Sequence, residues 1–172
     1  MGFGRRCFFG HPWRVFEENA VSGFVEGIYV ASRAGARAER VGEARALVGR
    51  GLEGDRYAEG AGHWSRFGRS CEVTLVEAED LEAMEREAGV RVMGGEHRRN
   101  VVLRGLGLDG VRRKKFRIGE AVFEYQKPCS ICRYVERLTE PGMTEALKGR
   151  GGICARVVEE GEIREGDPVS VM

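Results

Sequence analysis

What this 172-residue sequence lacks narrows its class before any motif is read. No apolar run approaches the ~20 residues needed to cross a bilayer. Neither sign of charge dominates, with 28 Lys and Arg against 27 Asp and Glu. No overall field therefore draws the chain to nucleic acid or to an acidic membrane, and any anion site must be a local cluster. Proline is scarce at four residues while glycine is abundant at 26. Glycine supplies positive φ and close backbone approach, so this balance implies many tight turns between short elements. There is no internal repeat and no low-complexity segment. Arg5 and Arg6 precede Cys7-Phe8-Phe9, but Gly10, His11 and Pro12 break that run before it reaches the length of a secretory core. A cytoplasmic protein is expected. Five cysteines, an odd number in a chain large enough to build a core, are expected to be reduced thiols.

Residues 1–20 mix Trp13, Phe16 and charges without periodicity and are expected to form an N-terminal extension, with residues 21–172 forming one domain. From Gly23 onward Phe24, Ile28 and Val30 alternate as a strand does. A Gly-rich stretch follows, containing the turn signature Gly51-Leu52-Glu53-Gly54-Asp55. Cys71, Val73 and Leu75 alternate with Glu72 and Thr74, a second strand. Leu81, Met84 and Ala88 then recur at helical spacing among acidic residues and stop at Gly89. Asn100 to Leu103 read as a buried strand, and Phe116 to Tyr125 as a hairpin turning at Gly119-Glu120. Short helices are expected over 130–138 and around Met143–Leu147, then strands around Ile153–Val158 and Val169–Val171. Strands do not alternate with long helices, which argues against a doubly wound sheet. The expected class is mainly β (α+β), a closed or nearly closed β-barrel with a few short helices.

The sharpest chemical feature is Pro128-Cys129-Ser130-Ile131-Cys132, where a strand hands over to a helix. On a helix Ile131, Tyr134, Val135 and Leu138 share one stripe, leaving Cys132, Arg133 and Glu136 opposite, so the thiols are not used to fill the core. A first-turn position favours the thiolate, the form a soft metal or an electrophile needs. Zinc requires more ligands than Cys71, Cys154, His63 and His97, scattered singly, supply. A dithiol oxidoreductase using Cys129 and Cys132 is a real alternative. Arg98 and Asn100, two apart on an extended chain, share a face and suit a phosphate or a heterocycle edge. Arg150, in Gly149-Arg150-Gly151-Gly152, offers a further anion clamp. The basic run Arg112-Arg113-Lys114-Lys115 reads more simply as a hairpin tip kept soluble by like charge, and His63 and His97 as surface or hydrogen-bonded histidines.

These pieces also occur in a telling order. Gly51 to Tyr57, Val73-Thr74-Leu75, Arg98-Arg99-Asn100-Val101 and Phe116 to Ala121 come first. Cys129 to Cys132, Gly149 to Ile153 and Gly161 to Asp167 follow. The ordered set resembles the MOSC domain family, named for the C-terminal domain of molybdenum cofactor sulfurases, over residues from about 23 to 172. The resemblance implies a MOSC-type β-barrel and a molybdenum-pterin cofactor (Mo-molybdopterin). It implies Cys132 as catalytic residue and metal ligand, with Arg98, Asn100, Cys129 and Arg150 toward the cofactor; the motif's proline precedes the first cysteine, so which of Cys129 and Cys132 ligates stays open. Two roles follow from it. One is reduction of N-hydroxylated compounds, with electrons from a separate flavin or iron–sulfur protein. The other is a non-catalytic carrier of cofactor or Cys-persulfide sulfur to recipient molybdoenzymes.

Overall fold

The structure is a computed structural model that describes residues 21–67 and 71–172, so the expected extension over 1–20 lies outside the described residues. In chain order the strands are β1 (Val21–Val30), β2 (Glu39–Val41), β3 (Glu43–Leu47), β4 (Gly51–Leu52), β5 (Val73–Glu77) and β6 (Val101–Arg104). After them come β7 (Lys115–Ile118), β8 (Ala121–Pro128), β9 (Ile153–Glu159), β10 (Gly161–Arg164) and β11 (Pro168–Val171). The helices are α1 (Ala78–Ala88), α2 (Arg133–Leu138) and α3 (Met143–Ala146).

Among the described residues, seven strands close a barrel in the order β11-β7-β8-β9-β5-β6-β1, with β11 pairing back onto β1 through Val21–Ser170 and Gly23–Val169. Closure removes the exposed edges that an open sheet would present. β2 extends β1 outside the closed ring, and β10-β3-β4 form a small second sheet. The pairings are antiparallel except β5 with β6, the two strands joined across α1.

Strand alternation gives the barrel two faces. Val73 and Leu75 of β5, Val101 and Leu103 of β6, Phe116 and Ile118 of β7, Phe123 of β8, and Ile153, Ala155 and Val157 of β9 fill one core cluster. Fully burying a side chain of this size contributes about 1.5–3 kcal/mol, so this cluster is the main apolar core. Outward residues of the same strands, Val76 and Val102, join Leu81, Met84, Val135, Met143 and Leu147 in a second cluster that seats the helices on the flank.

The sequence expectations hold for α1, whose C-terminus is capped by Gly89 at φ 67°, and for the β7–β8 hairpin over Gly119-Glu120. The helix expected over 130–138 begins only at Arg133. The basic run 112–115 is not a hairpin tip: it leads into β7 from a short helical turn over Leu108–Val111. Gly161 opens β10, which pairs with β3 through Ile163–Ala44. No helix among the described residues is long and apolar enough to cross a membrane.

Candidate functional site: a thiol and arginine cleft on the barrel flank

A cleft of about 230 Å³ lies outside the barrel wall, between the outward faces of β5, β8 and β9, the Gly-rich turn after β4, and α2. Its thiols are Cys129 and Cys132, both partly exposed and unbridged. Its cations are Arg56, Arg98, Arg99 and Lys127, and its rings belong to Tyr57, His63, Trp64 and Tyr134.

Local geometry explains why these side chains meet. Cys132 is the N-cap of α2 in extended backbone (φ −140°, ψ 152°), and its sulfur caps no helix amide. Cys129 follows the end of β8, and its amide donates to the Gly152 carbonyl at 2.8 Å. Gly152 itself sits at φ +76°, and a Cβ there would lie 1.9 Å from the Leu75 carbonyl oxygen. Only glycine lets β9 enter beside β5 so closely, which sets the height of Cys129 on the wall.

Asp55 organises the opposite wall. It is 1 % exposed, accepts from the amides of Ala31 and Tyr57 at 3.1 Å each, and pairs with Arg56 at 2.9 Å. The Arg56 guanidinium stands 4.8 Å from the centre of the Tyr57 ring. Burial pushes the Tyr57 hydroxyl above its ordinary pKa. His63 stacks on Tyr134 with ring centres 3.9 Å apart and planes 14° apart, so it is a cleft residue and not a surface one.

Arg98 is 9 % exposed and held in the left-handed region at φ 60°, with its guanidinium donating to the Ala36 carbonyl. A non-glycine residue there is strained by about 1 kcal/mol or more, which the turn at Gly95 imposes through the bond from the Arg98 amide to the Gly95 carbonyl. Burial, and then Arg56, push the Arg98 guanidinium below its ordinary pKa. Arg99 donates through Nε to the Gly151 carbonyl at 2.7 Å.

Of the residues expected from sequence, the fold brings Cys129, Cys132 and Arg98 together and leaves Asn100 and Arg150 apart. Asn100 does not share a strand face with Arg98, because β6 starts only at Val101 and Arg98 lies in the turn. Its Oδ1 accepts from the Thr74 amide and hydroxyl, and its Nδ2 donates to the Tyr29 carbonyl, so it stitches β1, β5 and β6 inside the wall. Arg150 pairs with Glu87 at 2.5 Å in a separate cleft between α1 and α3. The stripe Ile131, Tyr134, Val135 and Leu138 lines the cleft on the same side as the thiols instead of opposing them.

The expectation of reduced thiols is corrected as well: Cys71 and Cys154 form a disulfide with Cα atoms 5.5 Å apart. Thr74 of β5 lies against Cys154 of β9, and Cys71, in the segment just before β5, reaches that same cysteine 83 residues along the chain. Arg56, Arg99 and Tyr57 were not singled out as site residues; the usable signal was an Asp-Arg pair inside a Gly-rich turn, where charges are seldom buried. Among the described residues no three or more His, Cys, Asp or Glu are grouped to hold a metal ion.

The described residues thus form a closed barrel that carries a basic, thiol-bearing cleft on its flank. The MOSC domain model matches residues 62–170, and the chain belongs to the MOSC domain family, which is associated with molybdenum cofactor binding. Comparison with the curated proteins finds no match. Solved structures share the fold. The YuaD protein of Bacillus subtilis superposes with a TM-score of 0.70 at 18 % identity, over 87 % of this chain and 94 % of its own. YiiM of Geobacillus stearothermophilus gives 0.60 at 20 %, over 88 % and 74 %. YiiM of Escherichia coli gives 0.62 at 20 %, over 87 % and 69 %.

Proposed function

We propose that the cleft holds a molybdenum-pterin cofactor, with Cys132 as the thiolate ligand of the metal, and that the loaded chain reduces N-hydroxylated compounds. One observation carries this reading: two unbridged thiols share a single cleft with Arg56, Arg98, Arg99 and Lys127.

The donor set fits the group. A pterin phosphate is a multivalent anion, and Arg56 and Arg98, 7 % and 9 % exposed, both line the cleft, where burial and then Arg56 disfavour the charge on Arg98 that such an anion would offset. The rings of Tyr57, Tyr134 and His63 give apolar faces to a planar heterocycle. A soft metal is served by one thiolate when its remaining ligands come from the cofactor, which suits a site with no protein ligand cluster of its own. Cys132 is preferred to Cys129 because its sulfur caps nothing and its backbone starts a helix, whereas Cys129 is tied through its amide to Gly152.

When bound, the group supplies two-electron reduction of the N–O bond to N–H and water, the electrons arriving from a separate flavin or iron–sulfur protein. The chain's own work is to neutralise the phosphate end with its arginines, orient the ring system, and keep the reacting face open along the Ile131–Leu138 stripe.

The test is expression with molybdate, followed by metal analysis and by fluorescence of the oxidised pterin. Wild type should carry both, and Cys132→Ser, in which the metal keeps its ligands from the cofactor, should still carry both. With dithionite-reduced viologen as donor, loaded wild type should consume an amidoxime and Cys132→Ser should not. Wild-type turnover by cofactor-loaded Cys132→Ser, or neither metal nor pterin in wild type, overturns the assignment. Transfer of cofactor or sulfur to a recipient molybdoenzyme without turnover of the amidoxime would make the chain a carrier instead.

A further inference from the structure

We infer that Cys129 and the Cys71–Cys154 disulfide form a thiol–disulfide exchange site in the wall of the cleft. All four cysteines of residues 21–172 line this one cleft, Cys71 and Cys154 joined, Cys129 and Cys132 unjoined. Such a gathering is not required for stability. A packed barrel core already holds β5 against β9 through Leu75–Ile153 and Val73–Ala155.

The strand register names the partner. Lys127 of β8 lies directly opposite Cys154 of β9, and both line the cleft. Cys129 is two residues beyond Lys127, and its amide bonds to Gly152, two residues before Cys154. Cys129 stands just past the end of β8 against Gly152, so Cys129 and Cys154 are diagonal neighbours across the β8–β9 pair, about 7–8 Å apart. Both side chains line the cleft. A shift of the irregular segment between the end of β8 and the start of α2 closes that distance. Cys132, at the N-cap of α2, lies further along the chain from this register.

In the exchange, the Cys129 thiolate attacks Cys154 Sγ. The Cys129–Cys154 bond forms, the Cys71–Cys154 bond breaks, and Cys71 leaves as the thiolate, which takes up the proton that Cys129 lost. No net electrons move. Complete opening takes two electrons from an external dithiol, which becomes a disulfide and leaves the cleft with four thiols. Cys154 is 3 % exposed, so a dithiol in solution reaches it poorly, while Cys129 and Cys71 are accessible from the cleft. Cys129 thus acts as the relay, and Cys132 stays unbridged throughout. The inference does not depend on the cofactor.

The experiment uses the purified full chain with acid quenching, differential alkylation and peptide mass spectrometry. In Cys71→Ser, which removes the leaving thiol, oxidation by glutathione disulfide should trap a Cys129–Cys154 bond with release of two glutathione molecules. In Cys129→Ser, which leaves the native disulfide intact, reduction of Cys71–Cys154 by submillimolar dithiothreitol should slow about tenfold, because an intramolecular thiol acts at an effective concentration of millimolar or more. Absence of the Cys71–Cys154 bond in the oxidised chain overturns the inference. So does a Cys129→Ser disulfide that is reduced at the wild-type rate, even if Cys71→Ser fails to fold. Formation of Cys129–Cys132 in Cys71→Ser, with Cys154 left alkylatable, overturns it too.

Discussion

The barrel interior and the cleft on its flank are built from consecutive residues of the same strands, yet they obey opposite rules. On β5, Val73 and Leu75 face inward and Thr74 faces the cleft; on β9, Ile153 and Ala155 face inward and Cys154 outward. One residue step leaves the apolar interior for a wall that turns beside the strands complete with Asp55, Arg56, Arg98, Arg99 and Asn100, all less than a tenth exposed. The period of two thus separates stability from chemistry inside single strands. The interior can be shaped for packing alone, while the wall carries charge because each group there has a fixed partner, as Asp55 does with the Ala31 and Tyr57 amides.

If that division is real, the largest losses of stability should come from the interior. Phe123, wholly buried and stacked on Phe116 at 5.8 Å, should cost about 3–5 kcal/mol as Phe123→Ala in urea denaturation. The molecules that remain folded should bind pyrophosphate, a probe for the phosphate end, with wild-type affinity. A loss below about 1 kcal/mol would mean that the barrel is not the main stabilising core. Asp55→Ala should come next, at about 3 kcal/mol, because it strands Arg56 as a buried charge and leaves two amides without an acceptor. Unlike Phe123→Ala, it should also weaken pyrophosphate binding. Wild-type stability in this variant would show that the polar wall is not held by internal pairing.

A smaller effect should appear only in acid. His97 is fully buried, its Nδ1 accepts from the Arg99 amide at 3.0 Å, and its Nε2 has no hydrogen-bond partner among the described residues. Burial, then Arg99 and Arg98, push the imidazole down to about 3. The unfolded chain takes up this proton near 6.5 and the folded chain only near 3, so stability from this group is complete above about 6.5 and is lost as pH falls through that window. At pH 5 the loss should be about 2 kcal/mol, and His97→Gln should remove it. An unchanged slope between pH 6.5 and 5 in the variant would mean that His97 is not held neutral.

How much of this was legible in the chain follows from the same contrast. Apolar periodicity is local, so the interior announced itself: Leu81, Met84 and Gly89 delimit α1, and Phe116 to Tyr125 delimit a hairpin. The motif order pointed to the MOSC barrel, and Cys129 and Cys132 are visible as a pair at a strand end. The small sheet was missed because Glu43, Arg45, Glu162 and Arg164 give its short strands the look of turns. The cleft depends on register and backbone sign, which no local pattern shows. The Cys71–Cys154 contact spans 83 residues. Arg98 reaches the cleft from a left-handed turn, so counting along an extended chain misplaced it relative to Asn100. Arg56 was hidden in a glycine-rich turn that looked like mere punctuation.

The mildest substitutions sharpen the comparison most, because they test position without disturbing the fold. Lys127 and Arg150 are both cations next to the Cys129 and Gly152 crossing in sequence terms, but only Lys127 lines the cleft; Arg150 turns away to Glu87. Neither is buried in either core, so Lys127→Ala and Arg150→Ala should leave the melting temperature near wild type. Isothermal titration with pyrophosphate should separate them. Lys127→Ala should lose affinity by about tenfold, the worth of one charge-assisted contact, and Arg150→Ala should match wild type. Equal losses in both would place the phosphate between the two clefts and move the recognition surface toward α1 and α3. Loss in Arg150→Ala alone would put the anion site beside Glu87 and away from the thiols.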